Sequence, residues 1–281
     1  MVGRMEISTA VPIGKPTQNL WASESLYRSL RLFRDGAQTQ ALLTDCLRAT
    51  PLVEAALRLL HKADNPESAE RPENEELRRA AENSALAMEE IGKGSPTINA
   101  FAIVNAWTCL ELGVDELLVA AVREGLVDAG IAKVKIDVSQ LLGDEDDRVR
   151  LVAHQVSEST RASLRHGTAV FEAPLKLVGL SGGVDEEVAA GVYELQQVRN
   201  LHVHRLCHAD KRFLEACPRF GLSLGERLEL TNELADHLLA SALAYFQTLF
   251  WRVLWGLPFD PSSPNGVAPY PGSGSDATQR I

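Results

Sequence analysis

The chain has no long apolar run. Its 281 residues hold nothing close to the roughly 20 consecutive apolar residues of a membrane span. Its opening, "MVGRMEISTAVPIGKP", has no continuous apolar stretch of the kind a secretion signal carries. A cytoplasmic location is the expectation. Cysteine is scarce: Cys46, Cys109, Cys207 and Cys217 stand at irregular spacings, which excludes a disulfide framework and fits a reducing compartment. Basic charge is also short. With 28 Lys and Arg against 38 Asp and Glu the net charge is −10, which argues against a broad footprint for duplex DNA or an anionic membrane. Neither an internal repeat nor an alternating βα pattern occurs, so the candidate architectures are helical.

What is present is helical periodicity. At 45% hydrophobic and 23% charged residues, the composition is that of a globular protein, long enough to bury roughly three quarters of its unfolded surface. The span 20–61 is periodic but interrupted at Gly36 and at Thr50-Pro51, where a helix is expected to stop or restart. "KADNPESAERPENEE" (62–76) reads as a polar linker. Helices are expected from Glu75 to Ile91, ended by "GKGSP", and from Thr97 to about Gly125. Another is expected from Asp147 to His166, with the acidic "GDEDD" suiting its N-terminus. "LSGGVDEEV" is a turn leading into a helix over about 185–204. Residues 206–230 look irregular, with "LSLGERLEL" as a short hairpin. The last helix, Thr231 to Trp255, has Thr231 or Asn232 as its cap. Pro, Gly and Ser dominate 256–281, which is expected to be disordered. The organisation is then an irregular arm (1–19), an N-terminal helical extension (20–96), a helical bundle (97–255) and the tail. The class is all-α, a bundle carrying an added N-terminal helical layer.

One segment concentrates chemistry. "YELQQVRNLHVHRLCHADKRF" (193–213) holds three of the seven histidines. Between Leu195 and Leu230, six Lys and Arg face four Asp and Glu, a basic neighbourhood in an acidic chain. On a wheel of about 100° per residue, Val188, Val192, Leu195 and Val203 share an apolar face with Arg199 in its middle. Asn200 and His204 lie about 40° apart, on a flank that also carries Tyr193 and Gln197. The helix over 97–125 has the complementary pattern: its apolar stripe is interrupted by Glu111, with Asp115 at the edge. A charge on a buried face needs a partner, so a Glu111–Arg199 pair across the bundle is expected. Such a pair is either purely structural or the preorganised base of a phosphate-directed site.

Other chemistries fit the residues less well. His202, His204, Cys207, His208 and Cys217 could be read as a zinc cluster, but no pair has the C-x₂-C spacing of a strong site. His202 falls on the apolar side and reads as a hydrogen-bonded core histidine. "GKGSP" lacks the Gly-Lys-Ser/Thr ending of a phosphate loop, and "DEDD" at 144–147 reads as a loop and cap. No metal and no cofactor is expected.

"ELQQVRNLHVH" resembles the R-N-x-x-x-H signature of prokaryotic HEPN domains, here Arg199, Asn200 and His204. "RNLHVHRLCHADKRFLEACP" with the following "LGERLEL" is similar to the region after that motif, and "AWTCLE" to an earlier HEPN helix with an inward Leu-Glu. The resemblance covers about 97–255. It departs after the histidine, where many relatives have Asn and Gly and this chain has Arg205, Leu206 and Cys207. The resemblance implies a HEPN-like four-helix bundle acting as a metal-independent endoribonuclease in a toxin–antitoxin or phage-defence setting. It also implies a homodimer with two motifs facing one cleft, RNA as partner and a cognate antitoxin as a candidate one. His204 would move the proton of a 2′-hydroxyl or of the leaving oxygen, Arg199 would stabilise phosphate charge and Asn200 would orient. Glu111 would hold Arg199, and Tyr193, Gln197 and Asp115 would support. The product would be a 2′,3′-cyclic phosphate. The alternative is a non-catalytic helical module, binding RNA, a nucleotide or a protein, in which Arg199–Glu111 is structural.

Overall fold

The computed structural model describes residues 20–64, 75–127, 143–161 and 166–255. They form eight α-helices: α1 (Leu20–Asp64), α2 (Glu75–Gly92), α3 (Pro96–Arg123), α4 (Glu145–Arg161), α5 (Ala169–Lys176), α6 (Glu186–Arg205), α7 (Lys211–Ala216) and α8 (Asn232–Trp255). A 3₁₀ turn covers Pro218–Phe220. The all-α class follows the periodicity. Among the described residues the sole β feature is an antiparallel bridge between His208 and Arg227. The arm 1–19, the tail 256–281 and most of the 62–76 linker lie outside the described residues.

α3 is the axis of the molecule because apolar residues occupy most of its circumference. Ile103, Leu110, Leu117, Leu118 and Ala121 are fully buried, and α1, α4, α6 and α8 all pack against it. Each such leucine contributes about 1.5–3 kcal/mol by leaving water. By length and composition α3 could cross a bilayer, but more than half of its most apolar window is buried inside the fold, as in a core helix. α6 lies close along α8: a Cβ on Gly191 would fall 2.0 Å from Ser241 Oγ, so only glycine permits that approach.

α1 corrects the sequence reading. It is a single helix of 45 residues, unbroken at Gly36 and Pro51. Gly36 is a packing residue, since a Cβ there would sit 2.1 Å from Asn105 Nδ2 of α3. Pro51 costs one backbone bond, yet helix is held on both sides of it. Leu26 and Phe33 enter the core, with Phe33 edge-on to Phe246 at 5.7 Å, and the later turns lie along α2. Asn99, buried at the start of α3, donates to the carbonyls of Gly94 (2.8 Å) and Leu230 (2.7 Å) and accepts from Gln40 Nε2 (3.3 Å). One amide therefore ties α1, α3 and the entry to α8.

The short helix α5 has no counterpart in the periodicity, being eight residues with Pro174 inside. It places Phe171 between Trp107 (5.0 Å) and Tyr245 (5.8 Å). It also places Glu172 where Tyr245 O–H donates at 2.8 Å and Arg252 Nη1 at 2.7 Å. Arg252 Nη2 donates to the Gly183 carbonyl at 2.7 Å, so the loop before α6 is anchored to α8. The expected hairpin at 222–230 does not form. A turn closes at Ser223–Glu226, and the following residues pair with 207–209 instead, through Ala209 N–H to Glu226 O and Leu228 N–H to Cys207 O, both 2.8 Å.

Candidate functional site

α6 is fixed at both ends. Asp185 caps its start, accepting from the Glu187 and Val188 N–H groups at 2.9 and 3.2 Å. Glu186 and Glu187 follow in the first turn, and His202, His204 and Arg205 occupy the last, so charges at both ends oppose the helix dipole. Leu206 ends the helix in the left-handed region (φ 51°), and Cys207 follows at φ 65°. Both carry L side chains in a conformation that favours glycine.

That reversal brings α7 back beside α6. Asp210 caps α7 by accepting from Phe213 N–H at 2.9 Å. Its carboxyl is held below the usual range by that bond first, then by the Arg205 guanidinium. A cleft of about 270 Å³ opens between the two helices. Gln197, Asn200, Leu201, His204 and Arg205 of α6 form one wall, with Asp210, Arg212 and Phe213 from the start of α7 opposite. Arg205 Nε reaches Asp210 at 3.2 Å, and the Arg212 charge also acts on that carboxylate without a direct ion pair, so two guanidinium groups in the lining share one carboxylate.

Asn200 and His204 share this wall, with Gln197 beside them and buried. Arg199, about 100° round the helix from Asn200, is half-buried and is not part of the lining. Its Nη1 donates to Asn200 Oδ1 at 3.1 Å. Arginine has no acceptor atom, so the Asn200 atom facing it is the oxygen, and the amide nitrogen with its two donors is left for the cleft. Arg199 Nε is buried without a hydrogen-bond partner.

The expected Glu111–Arg199 pair does not form: no ion pair or hydrogen bond joins the two. The buried stripe of α3 runs through Ile103, Trp107, Leu110, Val114 and Leu117, which leaves Glu111 half-buried at its margin. Arg199 turns along its own helix instead. Asp115 is exposed on α3, away from the cleft lining. Tyr193 packs its ring edge-on to His166 at 6.2 Å, also outside the cleft. Val203, placed on the apolar stripe from the wheel, is 45% exposed.

The remaining histidine and cysteine chemistry is quiet. His202 Nδ1 meets Cys207 Sγ at 3.1 Å. Burial, then the Arg227 charge, lowers the His202 pKa, and burial raises that of the Cys207 thiol, so both stay neutral and neither is poised as a nucleophile. Burial likewise pushes Cys109 and Cys217 to about 11. Sequence reasoning missed Asp210, Arg212 and Phe213 as cleft residues. The signal was the Asp-x-x-Phe spacing, an N-cap three residues before the helix's apolar anchor. The chain matches no protein-family model, no curated protein and no solved structure.

Proposed function

We propose that the protein is a HEPN-type, metal-independent endoribonuclease, with the α6–α7 cleft as its active site. The observation that carries this reading is the shared wall: Asn200 and His204 face a cleft holding the Arg205 and Arg212 cations, while Arg199 fixes the orientation of the Asn200 amide. A phosphate in the cleft would be attracted by Arg212 and hydrogen-bonded by Asn200. His204 would take the proton of the neighbouring 2′-hydroxyl as that oxygen attacks phosphorus. The P–O5′ bond then breaks, the leaving oxygen takes up a proton, and the products carry a 2′,3′-cyclic phosphate and a 5′-hydroxyl. Arg199 acts as a positioning residue, through Asn200. Action as a homodimer, and a toxin or phage-defence role with a cognate antitoxin, belong to the same reading.

Purified protein incubated with structured RNA in EDTA is expected to cut it and leave cyclic-phosphate ends, and His204→Ala to leave it intact. Equal, zero cleavage by both proteins would overturn the reading. Arg199→Ala and Asn200→Ala are each expected to lower kcat with little change in KM. The double variant should be no worse than either single one, because the two act as one unit.

A further inference from the structure

Beyond the cleft, and independent of the ribonuclease reading, the distal half of α1 presents an uncovered apolar seam. Leu42, Cys46, Ala49, Val53, Ala56 and Leu60 recur at alternating spacings of four and three, and all six are exposed. Their wheel positions fall within about 40° of one line, the pattern of a coiled-coil seam. Leu52 and Leu59, each more than half exposed, widen it on its open side. The opposite side is already occupied: Leu47, Thr50, Glu54 and Leu57 are half-buried, and Thr50, Glu54 and Leu57 line the groove shared with α2, which Val53 also borders while staying 56% exposed. Pro51 lies away from the seam.

We infer that this seam is an interface with a second copy of the same chain, paired antiparallel about residue 51. The seam is self-complementary in that register. Leu42 meets Leu60 of the second copy at each end, Cys46 meets its Ala56, and Ala49 meets its Val53, so every contact recurs under a two-fold axis, as an isologous interface requires. A parallel pairing would set Ala49 on Ala49 and Ala56 on Ala56, leaving thin places between the wide Val53 and Leu60 layers. The small residues in the central turns let two backbones approach closely. Six seam positions span about 27 Å of helix. With Leu52 and Leu59 they offer on the order of 600 Å² of apolar surface per copy, near the ~800 Å² per partner of a standard interface and larger than a monomer ordinarily leaves to water.

Cys46 supplies the test. It is exposed, while Cys109, Cys207 and Cys217 are buried. In one copy, positions 46 and 56 are about 15 Å apart along the helix, too far for a disulfide. In the antiparallel pair they are neighbours. Full-length Ala56→Cys is therefore expected to form a covalent dimer under mild oxidation, and neither the native chain nor Cys46→Ser/Ala56→Cys to do so. The native protein should sediment as an associated species at micromolar concentration, and Val53→Glu should reduce association by at least tenfold while its melting profile remains that of a folded protein. A native protein that stays monomeric, association unmoved by Val53→Glu, or cross-linking of the native chain through Cys46 itself would each overturn the inference. The first would point to another segment of the chain covering the seam, the second to a dimer through a different face, and the third to parallel pairing.

Discussion

At the scale of single residues, the turn after α6 sets a left-handed backbone against an exposed L side chain. Leu206 is in the left-handed region and 77% exposed, so its side chain contributes little packing to offset a conformation costing about 1–2 kcal/mol for an L-residue. Leu206→Gly is therefore expected to raise stability by about 1 kcal/mol, read as a higher denaturant midpoint at unchanged slope. A loss of stability would show that Leu206 packs against something the exposed position does not suggest. That Asn200, His204 and Gln197 share one flank of α6 was legible from spacing, and all three line the cleft. The partner of Arg199 was not legible. A wheel tells which way a residue leaves the backbone, but a long guanidinium can bend along its own helix, and here its Nη1 reaches the neighbouring Asn200 amide and not a carboxylate across the bundle. Glu111 sat close enough to the apolar stripe to look buried and far enough from its centre to reach solvent.

At the scale of elements, the long helices were readable because each carries an apolar stripe of several turns. The boundaries of α2 and α3 agree with expectation within two residues, and those of α6 within one. α1 was misread because Gly and Pro were taken as local punctuation. Local preference loses to tertiary packing when both flanks of a weak point are held, as here by α3 on one side and α2 on the other. α5 failed in the opposite sense: it has too few residues to show a period, and its one acidic side chain, Glu172, points inward to Tyr245 and Arg252. The continuity of α1 has a measurable consequence. If the helix runs through position 51, Pro51→Ala restores the backbone bond to the Leu47 carbonyl and removes the ring clash. A gain of about 1–3 kcal/mol is then expected, seen as a rise in Tm together with slightly greater helical ellipticity. A neutral or destabilising result would mean that the chain needs the proline to turn there.

At the scale of the whole molecule, one polar cluster links elements distant in sequence, and it should govern behaviour at high pH. Tyr245 lies on α8, fully buried, with its proton on Glu172 of α5, while Arg252 bonds both Glu172 and the loop before α6. Burial, then the Glu172 charge, pushes the Tyr245 phenol well above its ordinary 10.0. In the unfolded chain the same group titrates near 10. Above that pH the unfolded state releases a proton that the folded state keeps. The stabilisation is thus complete below about pH 10 and is lost as pH rises, by up to ~1.4 kcal/mol per pH unit. Tyr245→Phe retains the ring against Phe171 and leaves Glu172 its arginine. It is expected to cost about 1 kcal/mol at neutral pH for the lost hydrogen bond and to flatten the alkaline decline. Denaturant midpoints taken from pH 7 to 11 should then converge for the two proteins above pH 10. Curves that stay parallel across that range would show that the phenol ionises within the folded protein, and that α5 and α8 are held together more loosely than their contacts imply.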